Sequence, residues 1–357
     1  MVMLRRNNMP EESRMTAEIK SSIAVIVVNY GTADLSIEAV ESVLAHQHGG
    51  HPVEVHLVDN ASPGDDAARF AQAHDERGWG DRVTLWLERE NHGFGRGNNV
   101  ALHALAQRET PPDYFFLLNP DATLNNEALA VLSDFMDARP GAMVAGARIE
   151  RPDGRPVQAV FRFPDTRSEF ASAVCFGPIT RLFEHPAFST ADGPIQVDWV
   201  SGAAVMFRFA TARDVGFFDP DFFLYFEETE LIWRMHQQGE VWFVPDAVIG
   251  HIAGAATGMQ EGRHRTKAQP GYWYDSWRLY FAKTRGVGGA RRAALARYLG
   301  TGMNAVLRGL TGKSPDAPTG FWKDFTGHVM RPLFGGDPLE ARPDGRTLKA
   351  DWLRKSR

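Results

Sequence analysis

Five consecutive apolar or aromatic residues, Tyr114 to Leu118, run directly into Asn119-Pro120-Asp121, and no other stretch constrains the fold so strongly. An unbroken apolar segment of strand length is buried on both faces, the condition of a central strand in a parallel sheet. Pro120 has no N–H and stops the ladder, so Asp121 is set down at the carboxyl end of that strand. Open α/β sheets bind their ligands along that edge. A carboxylate there suits a divalent cation held against a diphosphate. It equally suits a turn in which Asn119 and Asp121 bond local backbone ahead of a helix near Asn125.

The preceding chain repeats one pattern. Short β-branched runs at 23–28, 53–58 and 83–87 alternate with segments of helical spacing at 35–47, 66–74 and 100–107, and a further helix is expected over 126–138. Such alternation with short loops specifies an α/β fold, with a mostly parallel central sheet wound by right-handed crossovers and flanked by helices. The polar loops 29–32, 59–62, 91–99 and 119–121 each follow a strand, so the winding gathers them at one crevice.

After Ala138 the alternation breaks down. Residues 143–149 read as a strand, the stretch to about Pro194 is irregular, and 197–207 regains strand character around a bend at Gly202, a residue that allows close approach of backbone or ligand. Glu227-Glu228-Thr229-Glu230 opens a short helix. Strand-like runs follow at 241–244 and 247–249, the second ending at Gly250-His251. From Tyr272 the chain is helical and basic, with Leu295, Leu299, Met303, Val306 and Leu310 on one face, where packing onto the rest of the molecule is expected. The reading divides the chain into a disordered lead (1–21), a catalytic domain (22–258, with its nucleotide-sugar part to about 140), a helical region (259–338) and a loose tail (339–357).

The net charge of −5 gives no global basic field, which argues against nucleic acid as a partner. The single Cys175 can make no internal disulfide and fits a reducing, cytoplasmic setting. Residues 1–20 contain no apolar core of a secretory signal, and no window has the roughly 18 apolar residues that span a bilayer. Gly93-Phe-Gly95-Arg-Gly97 has the wrong spacing, and follows the wrong strand, for a dinucleotide fingerprint.

Val27-Val28-Asn29-Tyr30, Val58-Asp59-Asn60-Ala61-Ser62, Asn91-x-Gly93-Phe94-x-x-Gly97-Asn98-Asn99, Leu118-Asn119-Pro120-Asp121, Trp199-x-Ser201-Gly202-Ala203 and Phe222-x-x-Tyr225-x-Glu227-Glu228-x-Glu230 occur in this order. Together they resemble the family 2 glycosyltransferases, in the bacterial rhamnosyltransferase and galactofuranosyltransferase branch. The resemblance implies a GT-A fold, an inverting mechanism and a nucleotide-diphosphate sugar donor. It assigns the donor to Asn29, Tyr30, Gly31, Asp59, Asn91, Gly93, Asn98, Asn119 and Asp121, with Asp59 accepting the imide N–H of uracil or thymine. Asp121 matches the last acid of the family's Asp-x-Asp motif, whose first acid is Asn119 here, and with His251 it would hold Mn²⁺ or Mg²⁺. Glu228 stands where the family places its base, one methylene longer than the usual aspartate. Trp199, Ser201, Gly202 and Glu227 would face the acceptor.

The activity implied is transfer of a sugar, rhamnose first, from a UDP or dTDP donor to a hydroxyl of a surface glycan or lipid-linked glycan. Transfer of a hexose, an N-acetylhexosamine or galactofuranose is the alternative within the fold, and a non-catalytic sugar-nucleotide-binding scaffold is the alternative outside enzymes. For the basic C-terminal helices three settings stay open: accessory packing, homo-oligomerisation, or peripheral contact with the anionic inner membrane.

Overall fold

The computed structural model describes residues 20–177, 191–252 and 267–340, so the expected lead and tail lie almost wholly outside the described residues. A nine-stranded sheet forms the centre. Its order is β3 (Val83–Leu87), β2 (Val53–Asp59), β1 (Ile23–Asn29), β4 (Tyr114–Leu118), β10 (Ala204–Arg208), β6 (Ala142–Glu150), β11 (Glu240–His251) and β5 (Ala122–Leu124). A short β8 (Ile195–Gln196) joins β11, while β7 (Val160–Phe161) and β9 (Trp199–Val200) form a separate ribbon.

The expected parallel order holds across β3, β2, β1 and β4. Every residue of β1 and β4 is buried, as their unbroken apolar runs require. Register aligns Asn29 with Asp59, so the polar ends of β1 and β2 emerge side by side. Beyond β4 the sheet is mixed, since β10 runs antiparallel to both β4 and β6. Helices α1 (Ala33–Leu44), α2 (Asp66–Glu76), α3 (Phe94–Ala106) and α4 (Ala128–Asp137) follow the first strands in turn. They are followed by α5 (Thr166–Val174), α6 (Phe209–Asp214), α7 (Glu227–His236) and α8 (Gly271–Leu310), then the short α9 (Phe321–Phe325) and α10 (Arg331–Gly335).

Two strands differ from expectation, and both differences shape the functional edge. The chain does not pass from Asp121 to a helix; Asn119-Pro120-Asp121-Ala122 is a turn closed by the Ala122 amide on the Asn119 carbonyl at 3.1 Å, and it feeds the three-residue β5. The runs at 241–244 and 247–249 are one strand, with a register break between Val244 and Val248 that accommodates Pro245 and Asp246. Strand β5 lies antiparallel on the far end of β11, pairing Ala122 with His251. Three residues are too few for periodicity to register.

The C-terminal helices pack, but not through the expected face. On the distal part of α8 the buried positions include Gly300 and Asn304, against α5, and Ala290, Ala293 and Ala294, packed among aromatic residues, whereas Leu295, Leu299, Val306 and Leu310 are exposed. Small residues win because the helices approach closely: a Cβ on Gly300 would stand 2.9 Å from the Phe170 carbonyl. The first part of α8 builds a second core from Tyr274, Trp277 and Phe281 with Phe222 and Phe325.

The tightest contact between the two halves of the sheet edge is at Gly93. Its φ is +80°, and a Cβ would fall 1.8 Å from the Phe223 carbonyl oxygen, which also accepts the Phe94 amide at 3.1 Å. Gly93→Ala is expected to cost about 2–4 kcal/mol from positive-φ strain and the displaced backbone. Urea unfolding should show a lower midpoint at unchanged slope.

Candidate active site

A cavity of about 360 Å³ opens at the carboxyl ends of β1 and β4, lined by Tyr30, Asn60, Asn91, Gly93, Asn119, Ser201, Gly202, Glu227, Glu228 and His251 among others. A second cavity of about 310 Å³ shares Pro120 and His251 with it and is lined by Asp121, Glu150 and Arg151. Between them Asp121 Oδ1 and His251 Nε2 lie 3.0 Å apart, both largely buried. The β5–β11 pairing creates this juxtaposition, and the Ile252 amide on the Asp121 carbonyl at 3.0 Å fixes it from the other side.

Several expected donor residues act inside the protein in this structure. Asn29 is fully buried; its amide nitrogen is directed to Asp59, Ser62 and Asp66 at 2.8–3.0 Å, and its oxygen accepts from Thr32 and Ser36. It fixes the loops around Asp59 and does not line the cavity. Asp59 is likewise buried, accepting from Asn29 and Ser62. Gly31 donates its amide to Ser62 at 2.8 Å. Asn98 lies within α3, bonding the Phe94 carbonyl at 3.0 Å, and is also absent from the cavity lining. Asn91 does line it, capped by its own turn: its oxygen accepts the Gly93 amide at 2.9 Å and the Asn60 side chain at 3.1 Å.

The Trp199 indole stacks on Phe161 at 4.3 Å and donates to the Arg162 carbonyl, and it is not among the residues lining the cavity. Ser201 and Gly202 do line it. A Cβ on Gly202 would meet Glu228 Cγ at 2.9 Å, so this glycine makes room for the Glu228 side chain.

The loop that delivers Glu227 and Glu228 is strained. Tyr225 and Phe226 both have positive φ, at 71° and 66°, and Phe217 at 56° is a third such non-glycine residue. Large side chains hold such angles only where the surroundings over-determine them. Asn99 clasps both polar groups of Phe218, at 2.8 and 3.1 Å. Arg234 donates to the Val215 and Phe217 carbonyls at 2.6 Å, and Ser276 of α8 donates to the Leu224 carbonyl at 2.9 Å. Lys283 bridges Asp219 and Asp221 at 2.6 and 2.7 Å. Asn60, Phe223 and Tyr225 line the cavity without having been singled out as site residues, although all three fall within the motifs.

The three glutamates of this segment occupy different environments. Glu230 is buried in a two-bonded pair with Arg234, both contacts 2.7 Å; burial raises its pKa and Arg234 opposes the rise. Glu227 is 2% exposed, its Oε2 has no hydrogen-bond partner, and desolvation with the adjacent Glu228 carboxylate lifts its pKa well above the ordinary range. Glu228 is half-buried; desolvation raises its pKa, against the backbone amides of Glu228 and Thr229 at the start of α7.

A separate group with ligand-like spacing, His51, Asp134 and Asp137, sits at the opposite, amino-terminal edge of β1 and β4. Lys20 lies 2.7 Å from Asp134, and Tyr114 donates to Asp137 at 2.6 Å, so these carboxylates are engaged within the fold.

The mixed sheet, its flanking helices and the cleft at its strand ends fit the GT-A fold of glycosyltransferases. Residues 22–186 match the family model described as Glycosyl transferase family 2. An N-acetylglucosaminyl-diphospho-decaprenol L-rhamnosyltransferase of Mycobacterium tuberculosis is 25% identical over 228 residues, 60% of this chain and 71% of that protein. Rhamnosyltransferase WbbL of Escherichia coli is 26% identical over 168 residues, 45% of this chain and 61% of its own length. Two solved structures share the fold. GalNAc-T7 with UDP, GalNAc and Mn²⁺ has a TM-score of 0.54 at 14% identity, covering 90% of this chain and 59% of that one. The mannosyltransferase PcManGT of Pyrobaculum calidifontis, with GDP-Man and Mn²⁺, scores 0.51 at 16% identity, covering 82% and 75%. These similarities support a family 2 glycosyltransferase of the rhamnosyltransferase branch.

The environment of Glu227 generates a sign-definite expectation. An unfolded glutamate ionises near pH 4.3, while the folded chain keeps its proton to higher pH. As pH rises from about 4.3 toward the raised folded value, the unfolded state sheds a proton that the native state retains, and stability falls. Glu227→Gln should remove this contribution. Melting temperatures of the variant should exceed those of the parent increasingly across that window, and equal them below it.

Proposed function

We propose that the chain transfers a sugar, rhamnose by preference, from a UDP or dTDP donor to a hydroxyl of a lipid-linked or surface glycan, with inversion at the anomeric carbon. The single observation that supports this reading best is the shared cleft. Asn119, His251 and Glu228 line one cavity, and Asp121 reaches it through its contact with His251. Donor-diphosphate chemistry and a proton acceptor thereby fall within one small volume. The two curated relatives that carry rhamnosyltransferase names favour rhamnose.

In this reading the donor base lies toward Asp59, and Asn91 and Gly93 flank the ribose and phosphates. The Asp121–His251 pair fits a divalent ion. Together they would supply one carboxylate oxygen and one imidazole nitrogen to such an ion. Mn²⁺ or Mg²⁺ bound there would neutralise charge on the diphosphate. Glu228 takes the proton of the acceptor hydroxyl as its oxygen bonds the anomeric carbon and the bond to the diphosphate breaks on the opposite face. Its raised pKa brings it nearer the operating pH, where a general base is most effective. Glu227, which lines the cavity and whose pKa burial raises, faces the acceptor in this reading.

Glu228→Gln is expected to lower kcat by about 10²–10⁴, the span typical of a lost general base, while leaving donor binding intact. Thermal shift with UDP- and dTDP-sugars reads the binding, and a coupled diphosphate assay reads turnover. The parent should lose activity as pH falls through the raised Glu228 pKa, since only the carboxylate accepts a proton. Asp121→Ala should abolish the metal-dependent part of the donor-induced shift. A scaffold would show no turnover with any donor and no response to either substitution.

A further inference from the structure

The distal part of α8 is apolar on two opposite faces, and only one is used within the described residues. Its buried side is Ala290, Ala293, Ala294, Gly300, Thr301 and Asn304, locked to α5 by the Asn304 amide on the Val174 carbonyl at 2.9 Å and by Arg297 on Glu169. On the other side Leu295, Leu299, Val306 and Leu310 are 43%, 65%, 62% and 81% exposed. At 3.6 residues per turn these four fall within an arc of about 60°, one continuous ridge along the helix. Trp322, 42% exposed, flanks it, its ring edge 3.7 Å from where a Gly302 Cβ would stand. A solvated helix carries charge on its outer face. This one carries leucine.

The charge around the ridge selects its partner. From Arg285 to Pro315 there is no Asp or Glu, while Arg285, Arg291, Arg292, Arg297, Arg308 and Lys313 supply six cations in a chain of net charge −5. Arg297 and Arg308 are answered by Glu169 and Asp316, whereas Arg285, Arg291, Arg292 and Lys313 are exposed. A second copy seated on the ridge would bring these cations against their equivalents, with no acid of the segment to offset them. An anionic lipid surface offers headgroup charge to the arginines and hydrocarbon to the leucines and Trp322 at the same depth.

We propose that this ridge is a membrane-docking element, with Leu295, Leu299, Val306 and Leu310 inserting in plane into an anionic leaflet. The assignment deepens the proposed function and rests on it only for the nature of the acceptor. The proximal part of α8 braces the loop that carries Glu227 and Glu228, through Ser276 and Lys283. Docking the distal part therefore holds the cleft at a set height over the surface from which a lipid-linked acceptor is presented.

The test is flotation of the full chain with phosphatidylcholine vesicles, with and without phosphatidylglycerol. The parent should float with the anionic vesicles, partly released by salt, and Leu299→Glu with Leu310→Glu should weaken association at least tenfold. Arg285→Gln with Arg292→Gln should reduce the salt dependence while leaving residual binding. Melting temperature and donor-induced thermal shift should be unchanged in all variants, which separates docking from the transferase reading. Absence of flotation with anionic vesicles, or equal flotation of the leucine variants, overturns the proposal. So does a dimer in sedimentation velocity that the leucine variants abolish, since the ridge then belongs to a second copy.

Discussion

The approach of Gly93 to the Phe223 carbonyl is the contact on which the cleft depends. It joins the loop after β3 to the segment that carries the glutamates, more than a hundred residues later. Backbone meets backbone there, with no side chain able to intervene. The hydrogen bond from Phe94 fixes the distance, and the cavity walls then follow from two rigid sources. One is the aligned ends of β1 and β4; the other is a loop whose unfavourable dihedrals are held by Asn99, Arg234 and α8. A loop held so firmly keeps Glu227 and Glu228 in place before any ligand arrives, the pre-organisation that transfer chemistry requires.

The first half of the fold was legible in the sequence because local and tertiary preferences agree there. Strands β1 to β4 fall within one residue of the expected positions, since their apolar runs are buried on both faces and their ends are marked by polar turns. What escaped was set by distant partners. Strand β5 exists because β11 offers it an edge, and the direction of β10 is decided by β4 and β6. The residues around the cleft divide in the same way. Asp121 and His251 are brought together, yet Asn29 and Trp199 spend their polar atoms on neighbours and Asn98 gives its amide nitrogen to the Phe94 carbonyl. Residue type declares that an amide wants partners; only packing says which.

Glu227-Glu228-Thr229-Glu230 shows how far apart adjacent positions can be driven. Repulsion among three acids was visible in the sequence, but the distribution of relief was not. Arg234, one helical turn on, answers Glu230 alone. Glu227 turns into the interior without a cation, and Glu228 stays at the cavity wall, its amide contacts tempering the cost of charge. One carboxyl is thus salt-bridged, one favours its proton and one is poised between, within a single turn of helix.

The bracing of the glutamate loop by α8 bears on where this enzyme can be cut. Similarity to the family model ends at residue 186, before either cavity glutamate, and the alternating pattern suggests that the later helices are an appendage. They are instead the far wall of the loop: Tyr272 stacks on Tyr225, Trp273 and Tyr280 pack on Phe226, and Phe222 belongs to their core. A fragment trimmed to the sheet would uncover this aromatic seam and release the left-handed residues it restrains. The smallest autonomous piece of the molecule therefore extends well beyond the segment by which its kinship is recognised.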